Sequence, residues 1–81
     1  MMLRVKLFAA ARELTGAGEI VLEVAENATI ADVERAVLTT VPALERVIHH
    51  ARWAVDASFA AQSEPVHSAS QIALIPPVSG G

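Results

Sequence analysis

Leu3, Val5 and Leu7 alternate with Arg4, Lys6 and Phe8, a period-two pattern that predicts a strand with one face turned to a core. Ala9 to Leu14 can form a helical turn, and Thr15-Gly16-Ala17-Gly18 supplies permissive backbone for a chain reversal. Ile20, Leu22 and Val24 then alternate with Glu19, Val21 and Glu23, predicting a second strand that pairs with the first as an antiparallel hairpin. Thr29 stands where a helix N-cap is needed, and Asp32 puts a carboxylate in the first turn, where it complements unpaired backbone N–H groups. Ile30, Val33, Val37 and Val41 recur at helical spacing, and Pro42 predicts an end near Val41. Leu44, Val47, Ile48 and Ala51 share one face of a second, shorter helical segment. Trp53, Val55, Ala57 and Phe59 fall on alternate positions and predict one further strand. Ile72 to Ile75 reads as a last short apolar strand that Pro76-Pro77 stops.

The predicted order is ββα, a short helix, then ββ. A hairpin, a crossing helix and strands returning to the same sheet call for one layer of helix on one layer of sheet, an α+β class built on the β-grasp plan. The expected architecture is a mixed sheet with one main helix packed across it and a short second helix. With the last strand parallel to the first and beside it, the C-terminus would leave the sheet edge free. The expected division is residues 1–75 as the β-grasp domain and 76–81 as an extended C-terminal Gly-Gly tail. At 81 residues there is room for one hydrophobic core and no second catalytic domain.

Cysteine is absent, which excludes disulfides, thiolate metal sites and cysteine nucleophiles and makes the cytoplasm the expected compartment. Arg4 and Lys6 interrupt the first apolar residues, so no signal peptide is expected, and no apolar run approaches the ~20 residues of a membrane span. A net charge of −3, with six scattered basic residues and few aromatics, argues against nucleic acid as a partner.

Pro76-Pro77-Val78-Ser79-Gly80-Gly81 is the most informative stretch. Two prolines fix φ and project the segment stiffly, and two residues without β-carbons can enter a narrow tunnel. Six extended residues reach about 20 Å at ~3.3–3.6 Å each. Fraying is the ordinary fate of a Gly-Gly end. What argues against it is the join, in which the apolar strand Ile72-Ala73-Leu74-Ile75 runs straight into the tail.

Leu7-Phe8-Ala9-Ala10-Ala11-Arg12-Glu13-Leu14-Thr15-Gly16 together with Ile75-Pro76-Pro77-Val78-Ser79-Gly80-Gly81 resembles the small subunits of molybdopterin synthase, the sulfur carriers of the MoaD/ThiS family. The resemblance implies a ubiquitin-like β-grasp fold. It also implies a cycle in which an ATP-using adenylating enzyme of the ubiquitin-activating type activates the Gly81 carboxylate and sulfur transfer leaves a thiocarboxylate. The large synthase subunit then receives the tail, with Gly80 and Gly81 at the reacting end. There the sulfur is donated to cyclic pyranopterin monophosphate during molybdenum cofactor biosynthesis. The small subunit is not an enzyme alone, binds no cofactor itself, and is implied to form a heterotetramer with two copies of the large subunit. Phe8, Arg12, Phe59, Ile75, Pro76, Pro77, Val78 and Ser79 are the implied partner contacts. Carriers for thiamine or tRNA thiolation share the Gly-Gly end, and a ubiquitin-like modifier would join Gly81 to lysines; both stay open as alternatives.

Two positions depart from the family pattern. Asp56 follows Ala54-Val55 where the family usually carries Asn, which puts an amide-specific bond in doubt while leaving an acceptor for a turn. Ser68-Ala69-Ser70-Gln71 replaces an acidic turn with glycine, so this loop is expected to turn less tightly. Phe8, out of phase with Leu3, Val5 and Leu7, could join Phe59 and Ile75 in an exposed docking patch, or these residues could fill a satellite core. Arg12 could form a surface ion pair with Glu13 or a neighbour, or contact a partner. His49, His50 and His67 show no metal-ligand spacing, so no metal is expected. Trp53 is expected in the core, and no glycine-rich phosphate loop is present, so ATP would be bound by the partner.

Overall fold

The computed structural model describes residues 1–77. Strand β1 (Met2–Leu7) leads through helix α1 (Ala9–Thr15) into β2 (Glu19–Glu23), and α2 (Ile30–Thr40) then crosses the sheet. A 3-10 turn (Pro42–Leu44) and α3 (Glu45–Ile48) follow, and the chain returns through β3 (Arg52–Val55), β4 (Ser58–Phe59) and β5 (Ile72–Ile75). The five strands form one mixed sheet in the order β2-β1-β5-β3-β4. β1 pairs with β2 antiparallel and with β5 parallel, as the β-grasp plan requires.

Alternation on β1 puts Leu3, Val5 and Leu7 on the inner face, where each is essentially buried. Ile72 and Leu74 on β5, Leu22 on β2 and Trp53 on β3 complete the floor. Ile30, Val33 and Val37 of α2 cover it, and Leu44 from the 3-10 turn closes one end. The indole N–H of Trp53 donates to Glu34 Oε1 at 2.9 Å, so the one polar atom of this buried ring is satisfied by the helix above it.

The start of α2 is held from two sides. Thr29 donates to Asp32 Oδ2 through both its backbone N–H, at 2.9 Å, and its hydroxyl, at 3.1 Å. The unpaired N–H groups of Ile30 and Ala31 donate to the carbonyls of Glu64 and Gln62 at 2.9 and 3.0 Å. Val66 is buried at the same place, so the loop before β5 is fastened to the helix N-terminus. Helix α1 ends at Gly16, whose φ of 72° is the left-handed conformation that lets its N–H return to the Arg12 carbonyl at 2.8 Å.

Three expectations are corrected. Trp53 to Phe59 is a hairpin of two strands: Asp56 and Ala57 have φ of 50° and 70°, and Val55 pairs with Ser58 across them. Two successive positive φ values make the two-residue reversal whose twist suits a hairpin, and Asp tolerates that region better than most residues. The loop at Ser68-Ala69-Ser70 is tightly closed. Ser70 N–H donates to the His67 carbonyl at 2.9 Å, and the Ser70 hydroxyl accepts from His67 N–H at 2.8 Å, a closure that needs no glycine. Finally, the C-terminal strand leaves from the middle of the sheet, since β5 lies between β1 and β3.

Candidate functional site

Val78, Ser79, Gly80 and Gly81, which carry the chemistry expected from the sequence, lie outside the described residues. What the structure describes is the root of that segment and the face beside it. Pro76, the first residue after β5, is buried, and Pro77 is exposed. Packing therefore continues one residue beyond the strand. A shallow cleft lined by Pro76 and Pro77, by Ala10 of α1 and by Arg46, Val47 and His50 around α3 marks this root.

The outer face of the sheet is the complement of the core pattern. Inward Ile72 and Leu74 turn Ala73 and Ile75 outward, and inward Trp53 turns Arg52 and Ala54 outward. Cross-strand register sets Ala54 opposite both Phe59 and Ala73, Ala73 opposite Lys6, and Ile75 opposite Arg52. Phe8 continues β1 in the outward phase and is 45% exposed, and Phe59 is 57% exposed. Phe8, Phe59 and Ile75 line one groove of about 270 Å³, together with Ala73 and Lys6. The two phenylalanines thus sit on the surface and do not fill a satellite core.

Backbone in the left-handed region flanks this groove at both ends: Ala9, with φ of 49°, follows Phe8, and Asp56-Ala57 precede β4. Each such alanine costs roughly 1–2 kcal/mol, which the surrounding packing must offset to hold the aromatic side chains in place. Asp56 also ties its turn to the tail-bearing strand. Its N–H donates to the Gln71 carbonyl at 2.9 Å, and its Oδ1 accepts from Gln71 N–H at 2.9 Å. The role at this position is that of an acceptor, which Asp fills as well as Asn.

Arg12 does not join the groove. It is exposed on α1, makes no ion pair among the described residues, and lies with its guanidinium carbon 3.9 Å from where a β-carbon on Gly18 would be. Arg52 is a groove-side residue that sequence reasoning missed: its guanidinium carbon stands 3.6 Å from the centre of the Phe59 ring, a cation–π stack. Its outward phase, one residue before Trp53, was the available signal. The residues lining the groove include no acid–base pair and no nucleophile with a base beside it. Among the described residues no group of three His, Asp or Glu side chains could hold a metal ion, and no helix is long and apolar enough to cross a membrane.

Residues 5–81 match the ThiS family. The chain belongs to that family. A sulfur carrier subunit of molybdopterin synthase from Arabidopsis thaliana is 33% identical over 79 residues, covering 98% of this chain and 82% of the relative. The crystal structure of SAMP1, small archaeal modifier protein 1, from Haloferax volcanii superposes with a TM-score of 0.90 at 31% identity over the whole of both chains. A complex of subunits 1 and 2 of the molybdopterin-converting factor from Helicobacter pylori contains a chain of the same fold, with a TM-score of 0.72 at 22% identity and full coverage of both chains. The chain has the ubiquitin-like β-grasp fold expected from the sequence, and these structures share it.

Proposed function

We propose that this chain is the sulfur-carrier small subunit of molybdopterin synthase and that its working group is the C-terminal carboxylate of Gly81. In this reading an adenylating partner of the ubiquitin-activating type uses ATP to join that carboxylate to AMP, releasing pyrophosphate. A sulfur donor displaces AMP and leaves a thiocarboxylate, an ionised and polarisable nucleophile. The large subunit, two copies of which form a heterotetramer with two of this chain, takes in the tail. The sulfur then attacks cyclic pyranopterin monophosphate. The chain is not an enzyme alone, binds no cofactor, and works in the cytoplasm.

The observation that carries the reading is that one strand serves both ends of the task. β5 supplies Ala73 and Ile75 to the exposed apolar groove and then leads through Pro76-Pro77 into the tail. A partner seated on the groove thereby fixes where the tail begins. Phe8, Phe59 and Ile75 form the centre of docking, Pro76 and Pro77 set the tail's direction, Val78 and Ser79 span to the reacting end, and Arg12 contacts a partner from the side. Similarity to the Arabidopsis carrier and the Helicobacter pylori complex supports the same assignment.

The test is intact mass spectrometry of the chain produced alongside a working sulfuration system. Replacement of one oxygen by sulfur at Gly81, reversed on incubation with large subunit and pyranopterin precursor, is the expected result. A Gly81 deletion that still supports sulfuration would overturn it. A second reading, a protein modifier whose Gly81 is joined to amines, is favoured by the full-length similarity to SAMP1. Lysine conjugates with no thiocarboxylate would put it first.

A further inference from the structure

Of the six basic residues in the chain, Lys6 is the only lysine. The other five are arginines, whose guanidinium stays protonated, whereas a lysine ε-amine is a side chain that accepts acyl groups. Lys6 is exposed on the outer face of β1, opposite Glu19 on β2 and Ala73 on β5. It forms no ion pair among the described residues, because the neighbouring Glu19 carboxylate is taken by Arg4 at 3.5 Å. It lines the same groove as Phe8, Phe59 and Ile75. The one side-chain amine of the molecule therefore stands in the wall of its docking face.

The groove is apolar with Lys6 and Arg52 as the cations beside it. A segment suited to it is uncharged along its length and ends in a carboxylate. Residues 76–81 of this chain, which follow β5, meet that description, since they hold no charged side chain and end in Gly80-Gly81. Two residues without β-carbons leave the carbonyl carbon open to an amine.

We infer that Lys6 is the acceptor for the activated C-terminus of a second copy of this chain, so that a conjugated copy carries its own product across its docking face. The inference rests on activation of Gly81, which both readings above share, and on the amine transfer of the second. The donor is the acyl adenylate made from ATP by the adenylating partner. The Lys6 nitrogen attacks the Gly81 carbonyl carbon, a C–N bond forms, and the C–O bond to AMP breaks with its electron pair leaving on AMP. One proton passes from nitrogen to solvent. The product is an isopeptide with the mass of two chains less one water. Sulfur donation by the acceptor copy and conjugation at its Lys6 then exclude one another, because both need the same face.

The experiment mixes unlabelled wild-type chain with ¹⁵N-labelled full-length chain carrying either Lys6 or Lys6→Arg, together with the adenylating enzyme and ATP. Activation is always available from the wild-type donor and is read as pyrophosphate release. The expected result is a hydroxylamine-stable species in which fragmentation finds the unlabelled Gly81 joined to the labelled Lys6, and at least a tenfold loss of that isotope arrangement with the Lys6→Arg acceptor. Equal linkage of the Lys6→Arg acceptor overturns the inference. Activation, and sulfur uptake at Gly81 when the sulfur donor is added, with no linked species overturns it too while leaving the sulfur-carrier reading intact. Absence of any activation at Gly81 counts against both.

Discussion

Phe59→Ala separates a docking residue from a core residue, and the structure sets the size of each effect. Phe59 is 57% exposed in the free chain. A fully buried aromatic side chain removes ~150–250 Å² from water, so about 100 Å² of this one is left for a partner to cover. At ~25 cal/mol per Å² that surface contributes about 2–3 kcal/mol to binding, or a loss of roughly 30- to 150-fold in affinity on truncation. The free domain loses the part already covered and the Arg52 stack, which is worth ~0.5–1 kcal/mol at an exposed site, giving about 2–3 kcal/mol altogether. A domain of this size then melts lower by roughly 10–20 °C. Titration calorimetry against the large synthase subunit gives the first quantity and thermal unfolding of the free chain gives the second. Thr39→Ala, on the exposed side of α2, is the control that leaves affinity unchanged. Unaltered affinity of the Phe59 variant, or a free-domain cost above ~4 kcal/mol of the kind core truncations show, would refute the assignment of this face.

Ala57→Gly relieves a side chain held at φ of 70° in the β3–β4 turn, and urea unfolding should show a gain of up to ~1 kcal/mol after the added freedom of the unfolded chain is counted. Asp56→Ala removes the acceptor for Gln71 N–H and puts a further alanine, beside Ala57, in the left-handed region, so the same assay should show a loss of about 2 kcal/mol, whereas Asp56→Asn should change little. Trp53→Phe leaves Glu34 Oε1 without its 2.9 Å donor and is expected to cost about 1–3 kcal/mol by denaturant midpoint, including the volume lost. The Asp32 carboxyl is held below its ordinary 3.8, first by the backbone N–H of Thr29, then by its hydroxyl, with Arg35 adding to them. A lowered folded pKa gives stabilisation that is present above pH 3.8 and is lost as pH falls through the lower folded value. Asp32→Asn should therefore lower stability at neutral pH and flatten its acid dependence below that point, as followed by urea midpoints across pH; an unchanged acid limb would count against the cap.

Most of the architecture was legible because each long element carried its own period. Leu3, Val5 and Leu7 set β1, Ile30, Val33 and Val37 set α2, and Thr29 with Asp32 marked the start of the helix. The hairpin at Asp56-Ala57 was hidden for a definite reason: a two-residue reversal preserves alternate spacing, so Trp53, Val55, Ala57 and Phe59 read as one strand through it. Only the left-handed backbone distinguishes the two, and Asp-Ala announces that less loudly than Asp-Gly. The tight loop at Ser70 was missed because its closure comes from a side-chain hydroxyl and a main-chain bond in place of glycine. Arg52 escaped notice because its partner, Phe59, lies across a turn the sequence did not show.

The candidate site is legible for a different reason, which explains why its parts come in two kinds. The reacting group expected from the sequence is main chain, and no side chain in the groove has to act on it. What side chains must do is hold β5 in register, since side-chain direction has a period of two. Ile72 and Leu74 are inward and buried, and that alone sends Ala73 and Ile75 outward beside Lys6 and Arg52. A slip of one residue would turn the apolar pair to solvent and bury the groove's floor. The parallel pairing to β1, the antiparallel pairing to β3 and the Asp56–Gln71 bonds at the strand's entry all oppose that slip. Core packing and docking face are thus set by the same alternation, and a core variant such as Leu74→Ala is expected to loosen the groove along with the fold.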